Sequence, residues 1–109
     1  MHTVVETREY LVAAAKAGMS EAEREVAVLL LATNPEAGDL LVGGGGVRKL
    51  RVPRRGKGKS GGYRVLTYFM EADQPVFLLT ALSKTMQSNF KREQVGRLAK
   101  IAKAIRDER

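Results

Sequence analysis

The chain contains no cysteine, and its only histidine is His2. Without cysteine there is no disulfide framework, no thiol nucleophile and no cysteine-bound zinc. One histidine cannot build a His-rich metal site or a Ser-His-Asp triad, so neither a metal nor another cofactor is expected. No apolar run approaches the ~18 residues of a membrane span. The first residues lack the basic-then-apolar order of a signal peptide. These absences describe a soluble, cytoplasmic protein with no membrane role. Its 109 residues fit a single domain, 1–109. A domain of that size buries roughly two-thirds of its unfolded surface and needs no covalent staple.

Negative charge is scarce in one half of the chain. The formal net charge is +7, and the isoelectric point is near 10.1. Before residue 41 acids outnumber bases. From Val47 to Arg64 the order reverses, with eight bases and no acid: Arg48, Lys49, Arg51, Arg54, Arg55, Lys57, Lys59 and Arg64. An evenly solvated surface does not cluster its charge in this way. The cluster points to a polyanionic partner, and nucleic acid is the commonest one.

Periodicity supplies the elements. The β-branched run His2 to Glu6 reads as a strand. Thr7 caps a short helix through Tyr10, Leu11, Ala14 and Ala15, which Gly18 stops. Ser20 with Glu23 has capping-box spacing and opens a second helix. Ala22, Val26, Leu29, Leu30 and Thr33 are expected to face inward, and Asn34-Pro35 ends that helix. Pro35 to Gly46 is a connection containing four consecutive glycines, with Leu40, Leu41 and Val42 expected to pin it to the core. Strands follow at Val47–Val52, Tyr63–Met70 and Val76–Ser83, with a turn at Glu71–Pro75 and a longer connection at Pro53–Gly62. A last helix begins near Lys91 and buries Val95, Leu98, Ile101, Ala102 and Ile105. The order β-α-α-β-β-β-α predicts an α+β domain. Its sheet would be a compact antiparallel meander of three strands plus the N-terminal strand, with two N-terminal helices and one C-terminal helix covering one face.

The basic loop contains a misleading motif. Gly56-Lys57-Gly58-Lys59-Ser60-Gly61 matches G-x-G-x-x-G letter for letter. A dinucleotide site needs a helix directly after that motif, and here the strand-like run Tyr63 to Phe69 follows. Gly58-Lys59-Ser60 also imitates the end of a P-loop, but the required leading glycine is Pro53. The loop suits phosphate better. Glycines let backbone N–H groups approach phosphate oxygens, Lys57 and Lys59 add mobile charge, and Arg54 and Arg55 add planar forks. Arg64 lies inside a strand on one face with Leu66 and Tyr68, where a cation is rigid and needs no reorganisation to meet developing charge. Lys84 directly follows the last strand. Tyr63, Tyr68 and Phe90 are aromatic candidates for base stacking, against the commoner role of core residues.

Three segments together carry a resemblance: Asn34-Pro35-Glu36-Ala37-Gly38-Asp39, Gly45-Gly46-Val47-Arg48-Lys49-Leu50-Arg51 and Gly56 to Val65. With Thr3 to Thr7 and Leu78-Leu79-Thr80, they closely resemble RelE/HigB-type toxins of type II toxin–antitoxin modules, in the RelE/ParE superfamily. The resemblance covers nearly the whole chain in order. It implies a compact RelE-like sheet packed by helices, cleavage of mRNA on the translating ribosome with contacts to rRNA, and neutralisation by a cognate antitoxin. For HigB-like members that antitoxin is commonly a helix-turn-helix protein, in a toxin–antitoxin hetero-oligomer. By resemblance Arg55, Lys57, Lys59, Arg64 and Lys84 match active-site positions. Arg48, Lys49, Arg51, Arg54 and Tyr68 are the expected contacts to RNA or ribosome. Two departures stand out. Leu82-Ser83-Lys84-Thr85 replaces the usual aromatic-Ala-Lys-Asn run, and no tyrosine follows Tyr68. The alternative reading is a non-cleaving toxin of the ParE kind acting on DNA gyrase, which need not keep Lys57, Lys59, Arg64 and Lys84 together.

Overall fold

The structure is a computed structural model, and it describes residues 1–54, 62–85, 87 and 89–108. The chain runs through β1 (Val4–Glu6), α1 (Arg8–Ala17), α2 (Glu21–Thr33), β2 (Asp39–Leu40), β3 (Val47–Val52), β4 (Tyr63–Phe69), β5 (Val76–Ser83) and α3 (Arg92–Asp107). An α+β domain with three helices is what the periodicity predicts.

The helix ends follow local chemistry. The Thr7 side chain accepts from the Tyr10 N–H, and Gly18 closes α1 in the left-handed conformation. At α2 both halves of the capping box form between Ser20 and Glu23. Asn34 caps the C-terminal end, directly before Pro35. Such caps satisfy backbone groups that a helix cannot pair internally.

The five strands form one sheet in the order β1-β5-β4-β3-β2. β3, β4 and β5 make the expected antiparallel meander. The sheet as a whole is mixed, because β1 pairs parallel with β5, Val4 opposite Val76. The two-residue β2 extends the other edge, pairing Asp39 with Lys49 and Leu40 with Arg48. It falls within the expected loop and is too short to show a period in sequence. Between β4 and β5 the register shifts, with Leu66 opposite Thr80 and Thr67 opposite Leu78, so Leu79 is the extra residue of a bulge.

The helices do not share one face. One core gathers Tyr10, Ala14, Ala27 and Leu31 with Leu50, Val52, Tyr63 and Val65. The other gathers Leu98 and Ala102 of α3 with Val47, Leu66, Tyr68 and Leu79. The expectation of a single covered face is thereby corrected. The cause is visible in β4, where Val65 and Leu66 are both fully buried on opposite faces. A strand apolar at both parities requires a layer on each side.

Two packing expectations are also corrected. Leu29 is 58% and Leu30 39% exposed, and α2 instead buries Glu23, Ala27 and Leu31. Those three are spaced by four residues, and a carboxylate at the first of them disguised the stripe. Of Leu40, Leu41 and Val42, only Leu41 packs against a core. Leu40, in the edge strand β2, is 60% exposed, and Val42, beyond it, is 99% exposed.

Candidate phosphate-binding site

Strand alternation divides the basic run into two groups. Lys49 and Arg51 share a face of the sheet with Val47, whereas Arg48 shares the opposite face with Leu50 and Val52. Arg48 is half-buried and donates to the Gly38 carbonyl at 3.2 Å. Arg54, beyond Val52, is exposed and close enough to Tyr63 to act on its hydroxyl electrostatically. Arg48 and Arg54 therefore belong to the α2 side of the sheet.

The other group converges. Arg51 of β3 lies directly opposite Arg64 of β4, and Arg64 lies opposite Leu82 of β5. Arg64 is 8% exposed, while Arg51 is exposed. Like charges directly opposite each other in a sheet destabilise it. A buried guanidinium normally meets a carboxylate. Among the described residues neither arginine forms an ion pair, since the pairs found are Arg24–Glu6, Arg97–Glu9 and Lys103–Asp107. The bond seen for the Arg64 side chain is from Nη1 to the Tyr63 carbonyl, at a long 3.3 Å.

Lys84 lies just beyond the end of β5. Its backbone N–H donates to the Gly62 carbonyl at 3.1 Å, continuing the β4–β5 ladder one step. Lys84 itself opens the turn after β5 and is exposed. Gly62 makes that step possible. Its φ is +86°, and a Cβ there would stand 3.0 Å from the Val52 carbonyl oxygen. The strand ends that flank the basic loop are thus drawn together, Val52 beside Gly62 and Gly62 beside Lys84. Arg55, Lys57 and Lys59 fall outside the described residues. Lys49 is steered by a residue that sequence reading missed, donating to Asn89 Oδ1 at 3.2 Å. The two are 40 positions apart, and no local pattern links them.

Tyr68 is not presented to a ligand. It is 3% exposed and lies in the α3-side core. Arg106 donates to its hydroxyl at 3.2 Å and to the Gly45 carbonyl at 2.8 Å. Tyr63 is likewise buried, on the α2 side. Burial, then its hydrogen bond to Glu23, raises the Tyr63 pKa above that of an ordinary tyrosine.

A family model for the RelE toxin of the RelE/RelB toxin–antitoxin system matches residues 3–108. The chain belongs to the RelE toxin family. It is therefore a toxin of a toxin–antitoxin system, and its family implies a cognate antitoxin as partner. For this RelE-family chain the converging cations are the candidate working surface. Among the described residues no cluster of His, Asp or Glu could hold a metal ion. No helix among them is long and apolar enough to cross a membrane.

Proposed function

We propose that this toxin is an endoribonuclease that cuts mRNA on the translating ribosome, and that the face holding Arg51, Arg64 and Lys84 receives the scissile phosphate. The observation that carries this reading is the Arg51–Arg64 pair: two guanidiniums opposite one another, one of them buried, with no carboxylate between them among the described residues. Such a pair is unfavourable in the free protein and becomes favourable when an anion bridges it.

RNA carries its own nucleophile. The 2′-hydroxyl loses its proton to a base, and its oxygen attacks the adjacent phosphorus. The bond from phosphorus to the 5′-oxygen then breaks, and that oxygen takes a proton from an acid. The products are a 2′,3′-cyclic phosphate and a free 5′-hydroxyl. In this scheme Arg64 stabilises the equatorial oxygens of the phosphorane-like state, and its fixed place in β4 avoids reorganisation. Lys57 or Lys59 acts as base or acid, with neighbouring positive charge favouring the neutral amine. Arg55 and Lys84 align the strand. Charge neutralisation that a metal often supplies falls here to guanidinium and ammonium groups. The partner in this reading is a helix-turn-helix antitoxin, and the site of action is the cytoplasm.

Primer extension on mRNA after induction tests the proposal. The wild-type chain should give translation-dependent cuts. Arg64→Ala should remain folded, lose growth inhibition and cleave slower by about 10²–10³-fold, the scale of losing one transition-state donor. Full toxicity of that variant, or DNA damage without RNA cuts, would defeat the assignment.

A further inference from the structure

Behind Arg64, on the other side of the sheet, lies a group that nuclease chemistry does not use. Glu23 is 5% exposed. Its Oε1 accepts from the Ser20 N–H at 2.8 Å, closing the capping box of α2. The same oxygen accepts from the Tyr63 hydroxyl at 3.0 Å. That hydroxyl also lies 3.2 Å from the Gly18 carbonyl oxygen, at the end of α1. The Tyr63 carbonyl in turn accepts from Arg64 Nη1. One residue therefore touches the helix layer with its side chain and the arginine with its backbone.

A capping box needs only a polar side chain at the third helical position, and an exposed one suffices. Here the carboxylate is buried and shared with a tyrosine from the middle of the sheet. Desolvating a carboxylate is costly, so a shared, buried cap is a poor choice for capping alone. It does suit holding Tyr63 in one place. Gly62 precedes Tyr63 and is pressed against Val52, Pro53 and Arg54. The entry to β4 is thus held from two sides, by the backbone approach at Gly62 and by the tyrosine anchor.

We propose that Glu23 and Tyr63 form a positioning relay that runs from the start of α2 through the sheet and sets the orientation of the Arg64 guanidinium. The inference rests on the nuclease reading of Arg64. Glu23 and Tyr63 act through Arg64 and do not touch RNA. A misplacement of about 1 Å at a reacting group can cost on the order of 10²-fold in rate. The relay shifts Arg64 by less than its removal would, so a smaller loss follows.

The test measures cleavage of ribosome-bound mRNA by purified variants, together with thermal unfolding. Tyr63→Phe keeps the ring and removes the hydroxyl. It should lower kcat about tenfold with KM changed less than twofold. Glu23→Leu should do the same, and Glu23→Gln, which keeps an acceptor, should recover most of the loss. The double variant Tyr63→Phe with Glu23→Leu should be no slower than either single one, since both break the same link. The Arg64 Nε–Hε resonance in an NMR spectrum should move in Tyr63→Phe and in Glu23→Leu, and stay near its wild-type position in Glu23→Gln. Unchanged kcat and an unmoved Arg64 resonance in Tyr63→Phe would overturn the relay. So would losses that multiply in the double variant, or that follow only the fall in unfolding temperature. If the wild-type chain itself fails to cleave RNA, the nuclease reading falls, and the Arg64 resonance still tests the relay.

Discussion

Arg64→Met exchanges a buried cation for an unbranched apolar side chain of similar length. Arg64 is 8% exposed and faces Arg51 across the β3–β4 ladder. Its hydrogen bond to the Tyr63 carbonyl is long at 3.3 Å, and losing a net contribution of about 0.5–1.5 kcal/mol is the cost of the exchange. Against that stand two gains. Relief of the like-charge contact contributes about 0.2–1 kcal/mol. Removing the desolvation penalty of a buried guanidinium contributes more, on the scale of the gain of about 1–4 kcal/mol seen when even paired buried ions are replaced by apolar groups. The arginine stem already covers apolar surface, so burial of the methionine stem adds little. The net expectation is a gain of about 1–2 kcal/mol. With an unfolding entropy near ~0.23 kcal/mol per kelvin for a chain of 109 residues, the midpoint should rise by about 4–9 °C. Circular dichroism melts at pH 7 and low ionic strength would measure it. Added inorganic phosphate should raise the wild-type midpoint more than that of the variant, because an anion between Arg51 and Arg64 binds only the folded state. A variant that melts below wild type would refute the reasoning and make Arg64 a structural partner.

Further outcomes follow from the packing and from one buried hydroxyl. The Thr67 hydroxyl is buried and has no hydrogen-bond partner among the described residues, so Thr67→Val should raise the urea midpoint by an amount worth about 1 kcal/mol; a fall would mean that the hydroxyl is satisfied after all. Gly38 has φ +97°, and a Cβ there would stand 2.5 Å from the Lys49 carbonyl oxygen, so Gly38→Ala should destabilise by about 2–3 kcal/mol in the same assay. Gly18→Ala, with open space around it, should cost only about 1 kcal/mol. Burial and then the nearby Glu6 push the Tyr10 hydroxyl up to about 12. The unfolded chain ionises that group near pH 10. Its stabilising effect is therefore complete below pH 10 and is lost as pH rises from about 10 to about 12. Tyr10→Phe should flatten the fall of the urea midpoint across that window, and an unchanged slope would count against the assignment.

Local chemistry was the most legible part of the sequence. Thr7, Ser20 with Glu23, Gly18 and Asn34-Pro35 mark helix ends through contacts within three or four residues, which sequence spacing displays directly. The meander was legible for the same reason, because a hairpin turn and alternating side chains are short-range features. What escaped depended on long-range pairing. The parallel partner of β1 lies some 70 residues away. The inward face of α2 runs from Glu23, which meets Tyr63, through Ala27 to Leu31, and the polarity of its first residue hid it. Within the site, Arg64 could be placed on a face with Leu66 and Tyr68 by parity alone. Its position opposite Arg51 needed the register of two strands, and the approach of Lys84 to Gly62 needed the pairing of β4 with β5. The bulge at Leu79 leaves alternation unchanged at that end, so sequence parity and structure agree there. Arg48 and Tyr68 show the limit of composition. Both belong by residue type to an RNA-contacting set, and strand parity turns one to the far face while α3 covers the other.

The strand order has a consequence for how the toxin comes into being. β5 lies between β1 and β4, although it is the last strand made. Thr7 Oγ1 donates to the Leu78 carbonyl, across 71 positions of chain. Until residues 76–83 exist, β1 has no partner and one edge of β4 is bare. Exposed edges of that kind are prone to pair with other chains. Closing so long a loop is also slow, because its entropy is lost before the contacts form. The buried cation on β4 gains its neighbour on that edge, Leu82, only when β5 arrives. Nascent chains that stop short of β5 therefore lack the strand that joins β1 to β4, and the sheet closes only late in synthesis.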